Sequence, residues 1–124
     1  MWVFVYILLV HWVADFLLQT RHMATRKSES NYYLNLHVTI YSFTTIVFWV
    51  FFFLIVETHM TTFTVFLSFA VTFATHWLTD YVTSRQTSKL FKAKKEKEFF
   101  NMIGFDQWIH ALTLFLTYNY IILN

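Results

Sequence analysis

Residues 32 to 56 read YYLNLHVTIYSFTTIVFWVFFFLIV, twenty-five positions without one Asp, Glu, Lys or Arg. As a helix, that run crosses ~30 Å of hydrocarbon at about 1.5 Å per residue. A surface helix of a water-soluble domain carries a charged face, and this one has none. Three further runs are nearly as apolar, over about residues 1–19, 60–84 and 103–123. Helices are expected for all four, because a helix satisfies its own backbone hydrogen bonds where water is absent. The expected fold is an all-α integral membrane protein. It is a single domain over residues 1–124, built as a compact bundle of four transmembrane helices.

Composition agrees. Hydrophobic residues make up 57% of the chain and charged residues only 13%, too few for the surface of a soluble domain of this length. A soluble bundle with an oily core is the alternative, and the length of the apolar runs weighs against it. The chain has one Gly and no Pro, which argues against a loop-rich fold. It has no Cys, which excludes disulfides and thiolate metal sites. The first run lacks a basic leader and a small-residue cleavage site and contains His11 and Asp15, so it reads as a retained span.

The basic residues set an orientation. All nine Lys and Arg fall in two connectors, residues 20–31 and 85–102. The short connector ETHM, between the second and third spans, has none. The positive-inside rule then puts both basic loops in the cytoplasm and both termini outside, in the cytoplasmic (inner) membrane. Segment 88–100, SKLFKAKKEKEFF, mixes lysines with Leu90, Phe91, Phe99 and Phe100. Two readings fit it: a short helix on the inner leaflet with its lysines on anionic lipid, or a solvated loop that only sets topology. Nucleic acid is not an expected partner, since no recognition motif accompanies the charge. Self-association is compatible with so small a unit, though no feature signals it.

Against this apolar background, polar residues recur at a fixed spacing. HWVAD carries His11 and Asp15, HWLTD carries His76 and Asp80, and DQWIH carries Asp106 and His110 in reverse order. Residues four apart share a helical face, so each pair points one way. Asp15 lies ~9 Å inside Arg21 and Asp80 ~7.5 Å inside Arg85. Allowing for the alternating directions of the spans, all three pairs fall at similar depth in the cytoplasmic half.

An Asp at mid-span costs about 2.5–3.5 kcal/mol on insertion scales. No Lys or Arg lies inside a span to compensate. The carboxyls are therefore protonated, reached from the rim by Arg21 or Arg85, or bound to a cation. Imidazole and carboxylate together suit Zn, Mn or Fe, so His11, Asp15, His76, Asp80, Asp106 and His110 are the candidate ligands of a divalent metal. Asp15 and Asp80 are the candidate catalytic residues, with a remaining Asp as base. Gln19, His37 and Gln107 are candidates to orient the ligands, and Tyr41 and Asn35 to do so or to touch substrate. A proton relay uses the same residue types, and buried His also serves as hydrogen-bonded packing between helices. For His37, with no carboxylate four residues away, packing is the expected role.

The segments HWVADFLLQTRHMATRKS, LHVTIY, HWLTDYVTSR and FDQWIHAL, in this order, resemble the small bacterial and phage membrane proteins grouped as domain of unknown function 3307. The resemblance covers nearly the whole chain. It implies a compact polytopic membrane protein whose signature falls on His11, Asp15, Gln19, His37, His76, Asp80, Asp106, Gln107 and His110. Ala14 stands where that pattern has a glycine. The resemblance implies no activity.

Three functions fit these features. The first is a metal-dependent membrane hydrolase acting on a lipid-linked or amphipathic substrate. The second is a proton- or ion-coupled transport protein. Stretches such as VFWVFFFLIV and FLTYNYIIL leave such a protein little polar path through the outer half. The third is a non-catalytic membrane factor that binds a partner through its basic loop.

Overall fold

The computed structural model describes residues 2–56 and 60–123. Met1, Glu57, Thr58, His59 and Asn124 lie outside, so most of the ETHM connector is not among the described residues. The chain is all-helical, with no strand among the described residues. Helix α1 spans Trp2–Trp12 and runs on through a π-helical turn, Val13–Leu17. A short α2 follows at Arg21–Arg26, then α3 at Asn31–Ile55, α4 at Thr62–Lys92 and α5 at Glu96–Thr117. The last ends in a second π-helical turn, Tyr118–Ile122.

The four long helices pack as a ring. Helix α1 touches α3 and α5, α3 touches α4, and α4 touches α5. The diagonal pairs, α1 with α4 and α3 with α5, make no such approach among the described residues. The bundle therefore has a central axis that side chains from all four corners reach. One end carries the chain termini; the other carries α2 and the α4–α5 turn.

Length and apolarity single out two helices able to cross a membrane, Asn31–Ile55 and Thr62–Lys92. The apolar helix Trp2–Leu17 is shorter. Helix α5 opens on Glu96, Lys97 and Glu98 and carries Asp106.

Element boundaries depart from the sequence reading at both basic connectors. Residues 20–31 hold α2, whose first turn is capped by Thr20 Oγ1 accepting from Met23 N at 3.3 Å. Residues 88–100 are neither a separate surface helix nor a loop. They are the last turn of α4, a tight reversal at residues 93–95, and the first turn of α5. Lys94 makes the reversal with a positive φ of 54°. The lysine-rich composition hid this continuity, because Lys and Glu propagate a helix as readily as they populate a loop.

The two ends of the bundle are packed by different chemistry. At the terminal end Ile7, Trp49, Leu114 and Ile122 are buried with Tyr6, Phe52 and Tyr118 against them. Trp49 stacks on Tyr118 with ring centroids 5.0 Å apart. From mid-bundle to the loop end the interior turns polar. Ser68, Thr72, His76, Asp80 and Thr83 form one buried stripe along α4. Large apolar side chains such as Phe43, Phe51, Leu54, Phe63, Phe66 and Leu78 point outward and are exposed.

Candidate functional site

The π turn in α1 decides how the first helix enters the site. In a regular helix His11 and Asp15 would stack on one face. The wider turn over Val13–Leu17, closed by Leu18 N on Val13 O at 3.1 Å, changes that register. His11 now faces α3 and α5, with Nδ1 3.0 Å from Tyr41 Oη and Nε2 2.8 Å from Gln107 Oε1. Asp15 faces the bundle axis, and its Oδ2 is 4.0 Å from His11 Nε2. Single π turns inside α-helices often mark functional sites.

On the axis four groups converge. Nε2 of His37 and of His76 are 3.1 Å apart. Asp15 Oδ1 lies 3.1 Å from the first and 3.7 Å from the second. Asp80 Oδ2 lies 3.2 Å and 3.6 Å from the same two nitrogens. All four residues are buried. Asp15 Oδ1 is buried without a well-formed hydrogen bond.

A second shell of contacts surrounds this group. His110 Nε2 is 3.3 Å from Asp80 Oδ1 and 3.4 Å from Asp106 Oδ1. Thr83 Oγ1 donates to Asp106 Oδ1. Gln107 Nε2 donates to Asp15 Oδ2 at 3.1 Å and to Asp106 Oδ2 at 3.0 Å, tying α1 to α5. The rings of Tyr41, His76 and His110 stack in sequence, with centroids 3.7 and 3.9 Å apart. Nδ1 of His76 and of His110 has no hydrogen-bond partner, so this stack is what sets their ring planes.

Sequence spacing anticipated the convergence of Asp15, His76, Asp80, Asp106 and His110. It misjudged three other residues. His37, expected to pack between helices or to orient the ligands, is at the centre; α3 carries no carboxylate to signal this, and the partners come from α1 and α4. His11 stands behind the centre, on Tyr41 and Gln107. Gln19 donates to the Asp15 backbone carbonyl at 2.6 Å and so braces the π turn rather than a ligand side chain.

The cation was missed as well. Lys27, from the connector after α2, reaches inward and places Nζ 2.7 Å from Asp80 Oδ2. Its side chain is 13% exposed. Burial pushes this ammonium down, but the charges of Asp80 and Asp15 outweigh it and hold Lys27 above the ordinary lysine value. Neither expected arginine takes this role: Arg85 donates to Asn31 Oδ1 at 2.8 Å and lies over the Tyr81 ring. A lysine several residues beyond an apolar run leaves no periodic trace that would point it inward.

The charge balance is simple. Three carboxylates, Asp15, Asp80 and Asp106, face one ammonium, Lys27, leaving two negative charges if the imidazoles are neutral. The groups Asp15–His37–His76, His76–Asp80–His110 and Asp15–Asp106–His110 each bring one ligand atom per residue within 4.8 Å of the others. Such groups can hold a metal ion.

No curated protein and no solved structure matches the chain. The sequence pattern of one family matches residues 3–124. Its description reads "Protein of unknown function (DUF3307)", and with a match of this extent the chain belongs to that family.

Proposed function

We propose that this chain is a four-span protein of the cytoplasmic membrane, with both termini outside and the α2 and α4–α5 connectors in the cytoplasm. In this reading His37, His76, Asp15 and Asp80 bind one divalent metal, with Zn the best fit and Mn or Fe the alternatives. The protein acts as a hydrolase on a lipid-linked or amphipathic substrate.

One observation carries the metal assignment. Five distances among the four donor atoms run from 3.1 to 3.7 Å. Ligands at about 2.0–2.1 Å from a tetrahedral ion are about 3.3–3.4 Å from one another. With the imidazoles neutral, the two residual negative charges match one dication. Lys27 shares Asp80 Oδ2 with this centre, so ammonium and metal compete for that oxygen. Asp106, beside His110 and lining the cavity that opens at the loop end, is positioned to act as general base.

The membrane assignment is supported by an inverted distribution of side chains. Among the described residues thirteen polar residues are buried against eleven hydrophobic ones. The apolar windows of α3 and α4 are only 39% and 17% buried, whereas the core helix of a soluble protein hides most of its apolar surface. Asp15, Asp80 and the histidines then sit in the cytoplasmic half, where a bound dication offsets their insertion cost.

The test is elemental analysis of the folded, detergent-purified protein. About one metal ion per chain is expected, lost in His37→Ala and His76→Ala. Folded protein with no metal, even after incubation with Zn, Mn and Fe(II), would end this reading.

Transport is the second reading, and one feature favours it. Ser42, Ser68 and Thr72 are buried hydroxyls without partners on the terminal side of the histidines. The outer half is thus less apolar inside than its sequence implied. Trp49, Tyr118, Tyr6 and Phe52 close the bundle beyond them. Proton flux in proteoliposomes that disappears in Asp80→Asn would favour transport; its absence in the parent protein favours the hydrolase.

A further inference from the structure

The metal reading uses only the floor of the cavity at the loop end. That cavity, of about 510 Å³, has Asp15, Asp80 and Asp106 below and Lys27, Ser84 and Phe91 on its walls. A second cavity, of about 690 Å³, lies in the α4–α5 hairpin. Leu90, Phe91, Phe99 and Phe100 line it, with Lys94 and Lys95 beside them. The two share Phe91, Lys92 and Phe99 as a common wall. One compartment is lined by many polar side chains, a buried ammonium among them, although most of its exposed wall is apolar. Its neighbour is aromatic and fringed with lysine.

We infer that these adjoining cavities bind an amphiphile with an anionic phosphoryl headgroup, its head beside Lys27 and Ser84 and its chain along Phe91 and Phe99. This rests on the metal-site reading and names the substrate class of that site.

Three features select the head. Lys27 Nζ is a compact positive charge, largely shielded from water. Ser84 lines the cavity, and its Oγ is buried without a partner, a donor that a phosphoryl oxygen would satisfy after a turn of the side chain. With the imidazoles neutral, one dication cancels the two residual negative charges of the floor, which removes the repulsion an anion would otherwise meet. A headgroup without a phosphoryl oxygen offers Lys27 no anionic partner beyond Asp80 Oδ2, which the ammonium already contacts at 2.7 Å. At the rim, Lys92 meets Glu29 at 3.4 Å, and both are exposed. A pair of this kind is weak and opens readily to an approaching anion. The chain is selected by the hairpin: exposed Phe91 and Phe100 beside lysines suit the level of lipid headgroups on the inner leaflet.

The experiment uses the full chain in neutral phosphatidylcholine nanodiscs, with metal content measured in every sample. Calorimetry compares dihexanoyl phosphatidic acid, dihexanoylglycerol, glycerol 3-phosphate and inorganic phosphate. Phosphatidic acid is expected to bind at least about tenfold tighter than any of the others. Lys27→Met is expected to weaken phosphatidic acid by about tenfold or more, and Lys27→Arg to retain most of the affinity. Phe91→Ser with Phe99→Ser is expected to weaken both lipids and leave glycerol 3-phosphate unchanged. Equal binding of dihexanoylglycerol, or Lys27→Met without effect, overturns the phosphoryl head. Glycerol 3-phosphate or inorganic phosphate binding as tightly as phosphatidic acid overturns the lipid source. Failure of the metal reading is separately visible: Lys27-dependent binding by protein without metal removes the metal and keeps this site.

Discussion

Nε2 of His37 and Nε2 of His76, thirty-nine residues apart, stand 3.1 Å from each other on the bundle axis. Both also lie within 3.7 Å of Asp15 Oδ1 and of Asp80 Oδ2. Two imidazole nitrogens and two carboxylate oxygens lie together there, and the triad Asp15–His37–His76 is one of the groups that can hold a metal ion.

His37 and His11 are therefore expected to behave differently, although both are buried histidines. His37→Gln should abolish stoichiometric metal binding. His11→Gln keeps a hydrogen-bonding group toward Tyr41 and Gln107 and should weaken metal binding only about 10- to 100-fold, the range for residues that orient ligands. Metal content after dialysis against a graded chelator measures both.

Lys27 is the sole ammonium in contact with Asp80 among the described residues. Lys27→Met leaves a buried carboxylate without its cation. In chelator-treated protein this should cost about 3–5 kcal/mol. With Zn present the loss should shrink, since the metal supplies the missing charge. Denaturant unfolding with and without Zn reads the difference.

At the terminal end, Trp49 fills the space between α3 and Tyr118. Trp49→Ala should destabilise the bundle by about 3–5 kcal/mol through the cavity it leaves. Metal stoichiometry in the folded fraction should be unchanged, because Trp49 makes no ring contact with the histidines among the described residues and is linked to them through Tyr41, which shares its core.

Lys94 holds a left-handed backbone conformation, with φ of 54°, at the turn from α4 to α5. Glycine carries no Cβ penalty there. Lys94→Gly should raise stability by about 1 kcal/mol, measured as a shift in unfolding midpoint. It should leave metal content unaltered.

The absence of cysteine makes topology directly testable, since any introduced thiol is unique. Ser28→Cys and Lys94→Cys should react with a membrane-impermeant maleimide only in inverted vesicles. Thr61→Cys should react from the opposite side. Labelling of Ser28→Cys and Lys94→Cys on opposite sides would rule out four spans.

Much of this protein is written in local pattern. The twenty-five uncharged residues from 32 to 56 specify a helix because such a run can bury its peptide groups no other way. The four-residue spacing of His76 and Asp80, and of Asp106 and His110, aims each pair at one face because a helix nearly repeats every four residues. The family membership was likewise legible in those motifs. Other features appeared only in three dimensions. A π turn follows His11 and carries Asp15, a change of hydrogen-bond register that no residue type announces. His37 is central because α1 and α4 bring their carboxylates to it, and Lys27 is buried because a flexible side chain follows charge rather than period. Sequence periodicity reports which face of its own helix a residue occupies; what stands opposite depends on how four helices close around a common axis.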